Sequence, residues 1–205
     1  MAVRAARRHR PLLGAAAATL ALGLTLGACA DPNSVTEQAR RGDDKGFLAG
    51  DGTIEQLSPD QRAAPLQLSG TLLDGTPWQI SQTAGKVVVL NVWGSWCEPC
   101  VAEAPDLLAS RKRLTQQHRD VTFLGINVGE SPQTGAAGAQ ALGLPYPSLS
   151  DQYRALGPAL QNKATATPTT LVLDRRSRIA ARISGEIPSA TTLTDIVQTV
   201  AAEGA

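Results

Sequence analysis

The spacing of apolar residues changes repeatedly along this chain, and each change predicts an element. In residues 65–81, PLQLSGTLLDGTPWQIS, apolar and polar positions alternate around Asp74-Gly75. That is the pattern of a β-hairpin with its turn at Asp-Gly. Residues 86–93, KVVVLNVW, form a near-continuous β-branched run. Such a run predicts a strand covered on both faces, as in the middle of a parallel or mixed sheet. After Cys97 the rhythm becomes helical: Val101, Ala104 and Leu108 share one spacing, as do Leu107 and Leu114. Pro105 falls inside this helix and should kink it.

Val121–Val128, VTFLGINV, reads as a second buried strand. TGAAGAQALGL then predicts a weak, glycine-rich helix, PYPSLSD a short strand and QYRALGPAL a short helix. In TTLVLDRRSRIAARISG two apolar runs flank a charged turn, which predicts an antiparallel hairpin. Leu193, Ile196, Val197 and Val200 lie at i, i+3, i+4 and i+7, the apolar face of a terminal helix. Buried strands alternating with helices argue for an α/β layered domain. No internal repeat is visible.

The first thirty residues do not follow these patterns. Arg4, Arg7, Arg8 and Arg10 precede an uncharged apolar stretch from Leu12 to Leu26, followed by Leu26-Gly27-Ala28-Cys29. A basic start, a short apolar core and small residues before a cut site make an export signal. Its ending resembles the bacterial lipobox, which implies cleavage after residue 28 and a lipid on Cys29. The alternatives are an ordinary signal peptide or a weak membrane anchor. Residues 29–64 are polar, with scattered Asp, Gly, Ser and Pro and only short apolar pieces such as Phe47-Leu48. We expect a flexible tether there and a folded domain over residues 65–205. A short N-terminal element packing on the domain is the alternative.

The formal net charge of +1 gives no support to a nucleic-acid surface. Hydrophobic residues, at 42%, suffice for a core despite the sparse aromatics. Export would place the protein outside the cytoplasm, where disulfides persist.

The chemistry centres on Trp96-Cys97-Glu98-Pro99-Cys100. A structural zinc site needs about four ligands, and beyond this pair only His118 and Cys29 would remain after cleavage. His118 sits in a charged stretch and reads as a solvated surface residue. A c-type haem site needs His directly after the second Cys, and residue 101 is Val. An inert structural disulfide is disfavoured, because so short a loop constrains the unfolded chain very little. A redox dithiol fits the placement. A strand ends, Gly94-Ser95 turns, and a helix begins at the cysteines, where unpaired N–H groups and the helix dipole stabilise a thiolate. Cys97 is then expected to be the exposed attacking thiol and Cys100 the more buried resolving thiol. Glu98 opposes the dipole at Cys97, which favours a reductant.

VVVLNVWGSWCEPC resembles the active-site strand and helix start of the thioredoxin superfamily. TATPTT followed by LVLD resembles its cis-proline loop and next strand. WCEPCVAEAP and INVGES resemble the membrane-tethered TlpA/ResA-type thiol-disulfide oxidoreductases, over a stretch running from about Pro65 to the C-terminus. The resemblance implies a thioredoxin-like fold: a central mixed β-sheet flanked by helices, with an N-terminal hairpin and a central insertion. It implies Cys97 as nucleophile, Cys100 as resolving thiol and Pro168 as the cis-proline. Thr167 would offer backbone to an extended substrate, and Trp96 would flank the docking surface. Glu103 would be the acidic residue that raises a thiol pKa or accepts the buried sulfur's proton.

The implied task is reduction of apocytochrome c disulfides before haem attachment, at the outer face of the cell membrane. A membrane thiol-reducing protein would supply electrons, and no bound cofactor or metal is implied. The rival readings are a disulfide-donating oxidase, a copper- or client-binding lipoprotein, and a peroxide-scavenging enzyme, whose Pro-Thr-Cys pattern is missing. The chain departs from the subfamily in the Ala- and Gly-rich segment 135–143, which leaves little bulk for a partner pocket there.

Overall fold

The computed structural model describes residues 50–117 and 120–203. The export signal, Cys29, Phe47-Leu48, most of the expected tether and His118 lie outside the described residues. No helix among the described residues is long and apolar enough to cross a membrane.

The described residues form eight strands and three α-helices, which after the unpredicted β1 follow the predicted order. They are β1 (Ile54–Gln56), β2 (Ser69–Thr71), β3 (Pro77–Gln79), β4 (Val87–Trp93), α1 (Glu98–Gln117), β5 (Val121–Val128), α2 (Pro132–Ala141), β6 (Ser148–Asp151), β7 (Thr169–Leu173), β8 (Ile179–Ser184) and α3 (Ala190–Ala202). Six strands form one mixed sheet in the order β1-β8-β7-β4-β5-β6. β4, β5 and β6 run parallel, and β7 and β8 return antiparallel. β2 and β3 form the separate hairpin, with Gly75 in the left-handed region and the Asp74 carboxylate accepting the Thr76 N–H. The segment QYRALGPAL yields only one 3-10 turn, Pro158–Leu160.

β4 explains the layering. All seven of its residues are buried. Val87 and Val89 pack with Leu107 and Leu114 of α1 and with Leu193, Ile196, Val197 and Val200 of α3. Val88, Leu90 and Val92 face the opposite side, against Leu66, Leu68, Trp78 and Ile80 of the N-terminal hairpin region. A strand covered on both faces needs no polar alternation. The single polar residue in the run, Asn91, therefore needs a partner.

Residues 54–62 do not form the expected tether; they match the alternative of a packed N-terminal element. Ile54, Glu55 and Gln56 pair with Ile183, Arg182 and Ala181 of β8. Arg62 is buried against Asp174 and Glu203. Composition hid this, because the partners come from β8, the end of β7 and the end of α3. At the other edge, β6 is covered by the Leu72–Leu149 bridge from the hairpin. Both edges are thus short or covered, which limits edge-to-edge pairing.

Candidate active site

The cysteines sit where β4 gives way to α1. Cys97 N–H reaches back to the Gly94 carbonyl at 3.2 Å, and Val101 N–H closes the first helical turn onto the Cys97 carbonyl at 3.1 Å. Cys97 is thus the N-cap of α1. Its Sγ accepts the Cys100 N–H at 3.3 Å, the bond an N-cap oxygen would normally accept from the third helical residue. Pro99 sits in the first turn, where a missing N–H leaves no helical bond unmade. Cys97 and Cys100 are joined as a disulfide, with Cα atoms 5.2 Å apart.

One expectation needs correction. Cys97 is 0% exposed and Cys100 3% exposed, so Cys97 is not the accessible sulfur of the pair in this oxidised form. The two cysteines cluster with the buried Trp93, and Trp96, Leu73 and Leu142 pack around that cluster. Sequence spacing places a sulfur at a helix start but says nothing of side chains arriving from the hairpin and from α2.

The turn before Cys97 is tightly held. Glu130, just past β5, accepts the Ser95 backbone N–H at 2.8 Å and also the Ser95 hydroxyl. Asn127 Nδ2 donates to the same carboxylate at 2.5 Å. Trp96 Nε1 donates to the Val128 carbonyl at 2.9 Å. α2 comes close because it carries glycine: a Cβ on Gly138 would lie 2.6 Å from the Ser95 Cβ. Gly138 is therefore a packing choice against this turn, and Gly135 is one against Asn127 and Leu73.

Glu103 lies one turn beyond Cys100 and is 0% exposed. Asn91 Nδ2 donates to its Oε1 at 2.8 Å and the Ile187 N–H donates to its Oε2 at 3.0 Å. Burial pushes this carboxyl up to about 7; the two donors pull it down, and Glu186 adds a smaller upward push. Burial also drives the Tyr146 hydroxyl upward, with the Glu103 charge adding to it.

Pro168 follows a cis peptide bond from Thr167. The β4–β7 register pairs Val92 with Thr169, so the next step along the ladder sets Pro168 beside Trp93, at the cysteine end of the sheet. Thr167 and Pro168 are both buried. Cys97, Cys100, Trp96, Thr167 and Pro168 thus lie at one end of the sheet, with Glu103 in the layer behind the helix start.

Sequence reasoning did not single out Asn91, Glu130 or Arg154. The first was detectable as a lone amide in an apolar strand. Glu130 was part of the quoted INVGES motif without a role. Arg154 had no signal.

The geometry is that of a dithiol–disulfide couple at a helix start, and comparison with known proteins agrees. Residues 58–199 match the Redoxin family. The chain belongs to that family. It is 30% identical over 113 residues to the thiol-disulfide oxidoreductase ResA of Geobacillus thermodenitrificans, covering 55% of this chain and 63% of that protein. It is 29% identical over 131 residues to ResA of Bacillus subtilis, covering 64% and 70%. The chain thus spans roughly two thirds of the length of the curated relatives it matches, and slightly less for the first. Among solved structures, a secreted thiol-disulfide isomerase of Corynebacterium glutamicum superposes with a TM-score of 0.66 at 29% identity, covering 77% of this chain and 97% of that one. This redoxin has the thioredoxin-like architecture expected from its motifs: a mixed sheet, flanking helices, an N-terminal hairpin and an inserted α2–β6 unit.

Proposed function

We propose that this redoxin is an extracytoplasmic thiol-disulfide oxidoreductase that works as a reductant, held at the membrane through lipid on Cys29. Its clients would be protein disulfides, apocytochrome c among them, and a membrane thiol-reducing protein would return it to the dithiol form. The carrying observation is the pairing of a helix-capping sulfur at Cys97 with a buried carboxyl at Glu103 that titrates near 7.

In the dithiol form, the Cys100 N–H and the start of α1 favour thiolate at Cys97. That thiolate attacks one sulfur of the client disulfide. A Cys97–client mixed disulfide forms and the other client sulfur leaves as thiolate. Glu103, on the same side of α1 as Cys100, takes the proton from the Cys100 thiol. Cys100 sulfur then attacks Cys97 sulfur, releasing the second client thiolate and closing the Cys97–Cys100 disulfide. Two electrons pass from the protein to the client, whose sulfurs are finally protonated. A carboxyl with a pKa near 7 is suited to this transfer, because its affinity for the proton lies close to the working pH.

The test is the reduction potential of the Cys97–Cys100 couple in a thiol/disulfide buffer. A value near or below about −250 mV places it with thioredoxin-like reductants, and one near about −120 mV makes it a disulfide donor and reverses the reaction. With a reducing value, Cys100→Ser should trap a mixed disulfide with apocytochrome c on non-reducing gels. Absence of the adduct would remove that client.

A further inference from the structure

We propose that Arg154 determines client specificity, by reading a carboxylate in the extended client segment next to its disulfide; the inference rests on the oxidoreductase function proposed above. Arg154 bridges the two segments that bracket the redox pair. Its guanidinium stacks over the Trp96 ring, 5.2 Å from the centroid. Its Nη1 donates to Thr167 Oγ1 at 3.4 Å. Trp96 immediately precedes Cys97 and Thr167 immediately precedes the cis-proline, so the cation spans both lips of the site.

The backbone is set up to present this side chain. Arg154 has φ +56°, a left-handed conformation that a non-glycine residue adopts at some cost. The turn is fixed nonetheless. Asp151 accepts the Ala155 and Leu156 N–H groups on its carboxylate, at 2.6 and 3.1 Å, and the Arg154 N–H on its carbonyl. Arg154 is exposed at the surface, and its charge is uncommitted. Arg62, Arg175, Arg178 and Arg182 each pair with a carboxylate. Among the described residues Arg154 has an aromatic face and a hydroxyl as partners, but no carboxylate.

A planar guanidinium already stacked on an aromatic ring keeps in-plane donors for a carboxylate. The neighbouring Tyr153 is 84% exposed. It lines a cleft of about 590 Å³ with Leu72, Asp74 and Gln133. That cleft is lined by neither Arg154 nor the cis-proline loop, so a client laid along the loop meets the arginine stacked on Trp96, two residue types enriched at binding hot spots.

The experiment compares two disulfide-linked peptides that differ only in Glu or Lys beside the cysteine. Reduction is followed with the native protein, Arg154→Gln and Arg154→Glu. Equilibrium binding of the same peptides with Ser in place of Cys is measured in parallel. The native protein should favour the Glu peptide about threefold to fivefold, the scale of an exposed ion pair. Arg154→Gln should flatten the ratio and Arg154→Glu should invert it. The preference should fade in about 1 M salt. A merely structural clamp would slow both peptides equally, and that result overturns the inference. Turnover with no charge preference in any of the three proteins also overturns it while leaving the oxidoreductase function standing. A charge preference in binding without turnover of either peptide sinks the oxidoreductase function instead. Equal binding of both Ser peptides by all three proteins overturns the inference whether or not turnover is seen.

Discussion

The two ends of the central sheet bury charge in opposite ways. At the end where β7 finishes, Arg62 is buried with a side chain only 2% exposed and every donor used. It donates to Glu203 through two nitrogens at 2.6 Å, to Asp174 at 3.2 Å, and to the Leu57 carbonyl. The hydrogen bond to Glu203 raises the Arg62 pKa and outweighs the cost of burial. Burial would push Asp174 up, but N–H donors from Arg178 and Arg176 and the Arg62 side chain hold it below the ordinary carboxylate range. At the cysteine end Glu103 is buried more completely, with two N–H donors and, among the described residues, no cation paired with it. The first arrangement fixes its protons and acts as a staple. The second leaves a carboxyl that changes charge near neutral pH, the property expected of a group used in proton transfer.

Breaking the staple should have the largest effect on stability. Arg62→Met removes the cation that Glu203 pairs with and leaves Asp174 with Arg178 as its remaining cation. The expected loss, read by urea unfolding, is about 3 kcal/mol, the low end of the scale for removing one partner of a buried pair, because Arg178 still compensates Asp174. The Cys97–Cys100 potential should stay unchanged, because the couple lies at the other end of the sheet. A loss below about 1 kcal/mol would show that the ion cluster is decoration.

The lone carboxyl should show itself through pH. Its value rises from 4.5 to about 7 in the fold, so the folded state holds the proton more tightly than the unfolded chain. Stability is then full below about pH 4.5 and falls as pH rises towards 7, by roughly 3 kcal/mol in total. Glu103→Gln should flatten that slope. It should also lower stability at acid pH by about 1 to 2 kcal/mol, because the amide nitrogen of Gln accepts nothing and either Asn91 Nδ2 or the Ile187 N–H loses its acceptor. Unfolding curves across this pH range check both, and an unchanged slope in the variant would assign the titration elsewhere.

This contrast was only half legible in the sequence. The redox end announced itself locally: the cysteines, the strand before them and the proline loop are contiguous motifs, and the strands carry a period that matches their burial. Val121–Val128 is legible to the residue because its mostly apolar run stands between Arg119-Asp120 and Gly129-Glu130, polar and turn-forming neighbours that mark its ends. Glu103 needed the family pattern, since a glutamate three residues along a helix from a cysteine is usually solvated. The staple was illegible. Arg62 sits in polar surroundings, and its carboxylates lie far along the chain at Asp174 and Glu203, brought together only when β7 and α3 close. The burial of Cys97 and the contacts of Arg154 are tertiary in the same sense.

The glycines of α2 join the two kinds of information, and Gly138→Ala gives the smallest of these effects. Alanine in a helix interior gains about 1 kcal/mol over glycine from propensity alone. Here the new Cβ would fall 2.6 Å from the Ser95 Cβ and 3.5 Å from the Trp93 ring. Ser95 cannot swing away freely, because Glu130 holds both its N–H and its hydroxyl. Overpacking of this kind costs about 1 to 3 kcal/mol, so the steric term should win by about 1 kcal/mol. The displaced turn carries Trp96 and Cys97, so the same variant should also shift the rate of disulfide exchange. Alanine at Gly138 that stabilises the fold would mean α2 can slide away from the turn, and that the tight packing of the cysteine end is not what holds Cys97 at the helix cap.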